Sequence, residues 1–149
     1  MLDIINLSHK FTDNYLIKDL TIHFNNKGFY GIIGESGSGK STLLNIISGI
    51  IKPTNGEIYY NNILLSDLDN QEMSFLRKKE FSYIYQNENL FDNYTLLENV
   101  EIILNISNVQ FDKEKFNKYL TYLRIADLTY QYVKDLSGGE KQRVALLIA

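Results

Sequence analysis

Gly34-Glu35-Ser36-Gly37-Ser38-Gly39-Lys40-Ser41 is the stretch on which the reading of this chain turns. It sets three glycines, a lysine and several hydroxyls within eight residues. Polyphosphate needs many hydrogen-bond donors at close range. Gly34, Gly37 and Gly39 let the main chain bend and approach an anion without Cβ collisions. The N–H groups of such a bend converge as an anion-binding nest. Lys40 brings a mobile ammonium for β- and γ-phosphates, and Ser41 a hydroxyl oxygen that can ligate Mg²⁺. The flanks agree. Phe29-Tyr30-Gly31-Ile32-Ile33 is a nearly continuous apolar run, which predicts a strand buried on both faces. Ser41 to Ile50 predicts a helix: Leu43, Leu44, Ile46, Ile47 and Ile50 share a wide apolar face, and Gly49 and Pro53 end it. A helix starting near Lys40 adds free N–H groups and the positive end of its dipole. The plain alternative is a flexible glycine–serine turn with an incidental lysine. Strand before and helix after argue against it.

Working outward, Leu2 to Leu7 and Leu20 to Phe24 predict short strands, with a turn at Asn25-Asn26-Lys27-Gly28. Gly56 to Leu65 predicts a hairpin around Asn61-Asn62, and Asp69 to Lys79 a short helix. Phe81-Ser82-Tyr83-Ile84-Tyr85 predicts a second core strand ending at Gln86, with Tyr83 and Tyr85 as packing residues. From Thr95 the pattern is helical, and Phe116, Tyr119, Leu120 and Leu123 mark one helix face. A last helix begins at Gly138. Ser137 can cap it, and Glu140 completes a capping box. Gly138 and Gly139 leave the first-turn N–H groups uncovered, which makes a second anion site. Taken alone, an ordinary helix start without a ligand is the better reading; beside the loop at 34–41 the order reverses.

The 149 residues predict about one domain. Hydrophobic residues at 44% suffice for a core and argue against disorder. A net charge of −3 gives no basic field, so nucleic acid is not an expected partner. The chain has no cysteine, which excludes disulfides and thiolate metal sites. The N-terminus lacks the pattern of a signal peptide. No apolar run approaches the roughly 18 residues needed to cross a bilayer, so any membrane role is expected through a partner. His9 and His23 find no partner in the pattern and read as structural.

Three motifs in order now carry a family resemblance: Gly34 to Thr42 (GESGSGKST), Gln86 after Ile84-Tyr85, and Leu136 to Ala149 (LSGGEKQRVALLIA). They resemble the Walker A, Q-loop and signature segments of the ABC (ATP-binding cassette) ATPases. Lys52-Pro53-Thr54-Asn55-Gly56-Glu57-Ile58 is similar to a family segment too. The resemblance implies an α/β fold: a P-loop NTPase core with an N-terminal antiparallel β subdomain and an α-helical signature subdomain. Residues 1–88 would form the nucleotide-binding part, 89–140 the helical part, and 141–149 the start of a return to the core.

It implies ATP and Mg²⁺ as ligands. Gly34, Glu35, Ser36, Gly37, Ser38, Gly39, Lys40, Ser41 and Thr42 would hold the nucleotide, and Ser41 and Gln86 the metal. Phe11 would stack on adenine, with Tyr15 as its competitor. Ser137, Gly138, Gly139 and Glu140 would meet the nucleotide of a second ABC ATPase subunit, head to tail. The other implied partner is a transmembrane permease, which would hold the protein on the cytoplasmic face of the membrane. Residues 87–100 are similar to the stretch that receives the permease in lipoprotein-release, macrolide-export and bacteriocin-export ATPases, which implies export. The family's Walker B strand lies past the signature helix, outside 1–149. The expectation is therefore an incomplete sheet, no catalytic residue in this chain, poor stability, and little or no ATP hydrolysis by it alone. The alternatives are a soluble ABC protein and a truncated nucleotide-binding remnant. A chromosome-maintenance type is disfavoured, because the short interval from Gln86 to Leu136 leaves no room for a coiled coil.

Overall fold

The computed structural model describes residues 1–25, 27–85 and 89–149. They divide into two compact units, Met1–Phe81 and Ser82–Ala149.

The first unit is built on an antiparallel sheet. Its strands are β1 (Leu2–Lys10), β2 (Tyr15–Phe24), β3 (Asn55–Tyr60) and β4 (Ile63–Leu64), in the order β2-β1-β3-β4. The expected hairpin at Asn61-Asn62 forms. Both asparagines have positive φ, 48° and 67°, as a two-residue β-turn of matching twist requires. β1 pairs irregularly with both neighbours around Asn6, which is itself left-handed at φ 49°. Gly56 faces this irregularity with φ 95°, and a Cβ on it would lie 2.6 Å from Asn6 O and Leu7 Cα. Only glycine fits there without moving β1. His23 does have a partner: its Nδ1 lies 2.9 Å from Oδ1 of Asp3, directly across the ladder. The sequence pattern missed it because cross-strand register was not yet known.

Two helices pack on the sheet. α1 (Lys40–Ile47) is shorter than the expected 41–50. Ser48 turns its hydroxyl back to donate to Leu44 O, and Gly49 enters the left-handed region at φ 67°, which ends the helix. α2 (Asn70–Glu80) has Asp69 as its cap, which accepts from Gln71 N–H and Glu72 N–H, while Glu72 accepts from Asp69 N–H. Leu43 and Ile46 of α1, Met73 of α2, and Leu65 join Ile4, Leu7 and Ile58 in one core. Arg77 of α2 donates to Gly49 O at 3.0 Å and so ties α2 to the end of α1.

The second unit is helical: α3 (Leu96–Ser107), α4 (Lys113–Leu123) and α5 (Gly138–Ile148), with short 3-10 turns at Ala126–Leu128 and Val133–Asp135. Thr95 and Glu98 form a capping box at α3, and Asp112 caps α4. Phe116 and Leu120 of α4 are buried, as their spacing predicts. They close a core with Leu96, Val100, Ile125, Val133, Leu136 and Val144. Tyr119, on the same predicted face, is instead largely exposed. No helix among the described residues is long and apolar enough to cross a membrane.

Two expected strands do not form. Residues 29–33 and 81–85 take no regular structure. Phe29 and Ile33 are fully exposed. A two-sided apolar strand exists only when hydrogen-bonded neighbours flank it and other elements cover it. Among the described residues neither run has a ladder partner.

Candidate nucleotide site

The loop between residue 34 and α1 is bent by its glycines. Gly37 and Gly39 have φ 82° and 91°, a region that other residues rarely enter. A Cβ on Gly34 would fall 2.7 Å from Ser38 Oγ. Ser38 N–H donates back to Glu35 O at 3.2 Å, closing the turn. Gly39 is the cap position of α1, and no side chain there accepts from the helix's first N–H groups. Those donors stay available to a ligand, at the positive end of the helix. Glu35, Ser36, Gly37 and Ser38 are exposed, as is Ser41 one residue into α1; Lys40 and Thr42 are half-buried. The ammonium of Lys40 curls over the bend and donates to Gly34 O at 3.0 Å and Glu35 O at 2.6 Å. A cationic head thus sits on the loop whose amides and helix start favour an anion. Bent glycines, bare donors, one ammonium and one exposed hydroxyl match what a Mg²⁺-bound polyphosphate needs.

Phe11 lies in the bend between β1 and β2 and is 67% exposed. Its ring meets the His9 ring edge-on, with centroids 5.0 Å apart and planes at 88°. Tyr15, its competitor, is less exposed, and Lys10 Nζ stands 5.5 Å from its ring centre. Gly39 links this hairpin to the loop, since a Cβ there would come within 3.0 Å of Leu16 Cγ. The start of β2, which follows the Phe11 bend, is therefore a neighbour of the phosphate loop. Gln86, the expected metal ligand, lies outside the described residues.

The signature residues belong to the second unit. Ser137 caps α5, and its N–H and hydroxyl both donate to Glu140 Oε2, at 2.8 and 2.6 Å. The Ser137 hydroxyl, then its N–H, hold the Glu140 carboxyl below its ordinary value. Among the described residues nothing would touch a Cβ on Gly138, and on Gly139 only Arg143 Nη1 comes near, at 3.7 Å. The two glycines in the first turn of α5 are therefore uncovered among the described residues.

One polar residue escaped the sequence reading. Asn99 is 1% exposed. Its Oδ1 accepts from Phe91 N–H at 2.8 Å, and its Nδ2 donates to Phe91 O at 3.1 Å and Thr95 O at 2.9 Å. It pins residues 91–95 to α3. The available signal was an asparagine between Leu96 and Val100 on an apolar helix face.

Fold and loop together define a phosphate-loop protein of the NTPase class. The profile of the ABC transporter family matches residues 17–149, and the chain belongs to that family. It is 38% identical over 138 residues to an ABC transporter ATP-binding protein of Methanocaldococcus jannaschii, MJ0796, covering 89% of this chain and 59% of the relative. It is 36% identical over 148 residues to the lipoprotein-releasing system ATP-binding protein LolD of Buchnera aphidicola, covering 95% and 65%. A phosphonates import ATP-binding protein of Fusobacterium nucleatum is 34% identical over 156 residues, covering 98% and 63%. The chain thus spans about three fifths of the length of these relatives. The solved dimeric structure of MJ0796, described as an ABC transporter cassette, superposes with a TM-score of 0.84 at 33% identity, over 99% of this chain and 68% of the other. A second dimeric structure of MJ0796, bound to ADP and Pi in a post-hydrolysis state, gives a TM-score of 0.81 at 34% identity, with the same coverage.

Proposed function

We propose that this chain is the nucleotide-binding part of an ABC transporter ATPase that binds Mg²⁺-ATP and couples its binding and hydrolysis to transport through a membrane permease. The observation that carries this reading is the Lys40 ammonium set over a glycine-bent loop that opens onto the uncapped start of α1. Lys40 moves from two carbonyls to the β- and γ-phosphates. The N–H groups of residues 34–42 wrap the chain of phosphates, and Phe11 stacks on the base. The Ser41 hydroxyl supplies one ligand to Mg²⁺. Among the described residues no cluster of three His, Asp or Glu side chains competes for that ion. Gln86 is proposed as a further ligand on the strength of its place in the motif order. Bound there, the metal neutralises phosphate charge and fixes its orientation.

Ser137, Gly138, Gly139 and Glu140 form the second anion-facing helix start. We assign it to the nucleotide of a partner cassette, paired head to tail. The uncovered glycines in the first turn of α5 and the dimeric neighbour support this. No catalytic base is assigned within residues 1–149. The permease holds the assembly at the cytoplasmic face of the membrane. Export is the proposed direction, supported by the likeness of residues 87–100 to lipoprotein-release ATPases and by the LolD relative. The phosphonate importer, at similar identity, makes direction the point to test by transport in vesicles.

The test of nucleotide binding is calorimetry with Mg²⁺-ATP on the wild type and Lys40→Ala. Charge-assisted hydrogen bonds contribute about 1.5–3 kcal/mol each, so the substitution should weaken binding by at least roughly tenfold. Equal affinities would remove Lys40 from the site and sink the reading.

A further inference from the structure

We propose that His9 is a positioning residue for base recognition: its buried imidazole fixes the exposed Phe11 ring in the attitude that stacks on the nucleobase. The inference rests on the nucleotide-binding reading above and deepens it.

His9 is 6% exposed, and neither ring nitrogen has a hydrogen-bond partner among the described residues. Burying polar atoms without partners opposes folding. A leucine of similar bulk would fill the same space without that cost. What leucine cannot supply is the contact His9 makes with Phe11, edge to face, at 5.0 Å and 88°. Such aromatic pairs have a preferred geometry beyond mere area. Phe11 needs that geometry, because most of its ring is open to solvent. His9 is anchored: it lies in β1, its ladder partner is Ile17 of β2, and Leu16, next to Ile17, abuts Gly39 of the phosphate loop. The chain of contacts runs from loop to strand to imidazole to the exposed ring. The ring is thereby set at a fixed reach from the place where phosphates bind. A flat aromatic held there recognises the π-face of a base, whichever base it is.

The experiment compares Mg²⁺-ATP with inorganic tripolyphosphate, which has the same anionic chain and no base. Both are titrated by calorimetry into the wild type, His9→Leu and His9→Phe, with urea melts alongside. Loss of an aromatic edge contact should weaken ATP binding about three- to tenfold in His9→Leu. Tripolyphosphate affinity should stay unchanged, and the melting midpoint of His9→Leu should equal or exceed that of the wild type. His9→Phe keeps the edge and should restore ATP affinity. A merely structural role would lower stability and both affinities together. That outcome overturns the proposal, as does an unchanged ATP affinity in His9→Leu or no restoration in His9→Phe. If the wild type bound neither ligand, the nucleotide reading itself would fall and the role of His9 with it.

Discussion

Replacing Gly56 by alanine adds one methyl group at the point where β3 faces the irregular middle of β1. The new Cβ would lie 2.6 Å from both Asn6 O and Leu7 Cα, which are main-chain atoms and cannot swing aside. The backbone at φ 95° is also a conformation that L-residues avoid, at about 1–2 kcal/mol. Forcing β1 away from β3 acts as overpacking, about 1–3 kcal/mol, because Leu7 and nearby Ile4 are fully buried. Together the loss is about 2–5 kcal/mol, a large share of a domain stability of roughly 5–15 kcal/mol. With a urea dependence of about 2 kcal/mol per molar, the midpoint followed by circular dichroism should fall by about 1–2.5 M. Gly56→Asn separates the two causes. Asparagine tolerates positive φ but carries the same Cβ, so it should be nearly as damaging as alanine. Wild-type stability in Gly56→Asn would refute the collision argument and leave backbone strain alone.

Asn99→Ala removes the four hydrogen bonds that its side chain makes to residues 91–95 and leaves the Phe91 N–H without its acceptor, while Phe91 O and Thr95 O keep the N–H groups of Tyr94 and Asn99. An unpaired buried group costs about 1–3 kcal/mol, so the second unit should be clearly less stable, and hydrogen exchange at the Phe91 amide should quicken; unchanged exchange would contradict the clamp. The Glu140 carboxyl is held below its unfolded value by Ser137, so its contribution is complete above that unfolded value and is lost as pH falls through the folded one. The stability advantage of the wild type over Glu140→Gln should therefore be present at neutral pH and shrink in acid, read from urea midpoints at several pH values. An advantage that grew in acid would reverse the assigned sign.

The elements legible in the sequence were those that a few adjacent residues specify. Ser137, with Glu140 three positions on, announced a capped helix, and the helical patterns from Asp69 and from Thr95 begin where the structure places the caps of their helices. Asn61-Asn62 announced a hairpin because few other pairs accept two positive φ angles. The runs at 29–33 and 81–85 looked like strands because they are apolar on both faces. Apolarity states a demand for neighbours and does not supply them, so the prediction exceeded what these residues form. Contacts across the sheet were illegible for a related reason. Asp3 and His23 are twenty residues apart, and only the register of β1 against β2 brings them together. At the candidate site the phosphate loop and the α5 cap were readable from local spacing. The burial of His9 and the inward amide of Asn99 were not, because both depend on how strands and helices close over them.

The seat of Lys40 on the carbonyls of Gly34 and Glu35 means that the loop already carries a tethered cation. On the proposed function, capture of a triphosphate would be an exchange of ligands around one ammonium, in which two weak acceptors give way to stronger ones. The affinity would then be a difference between two coordinated states. A substitution that loosened the carbonyl seat while sparing the lysine would bind nucleotide more tightly than the natural sequence does.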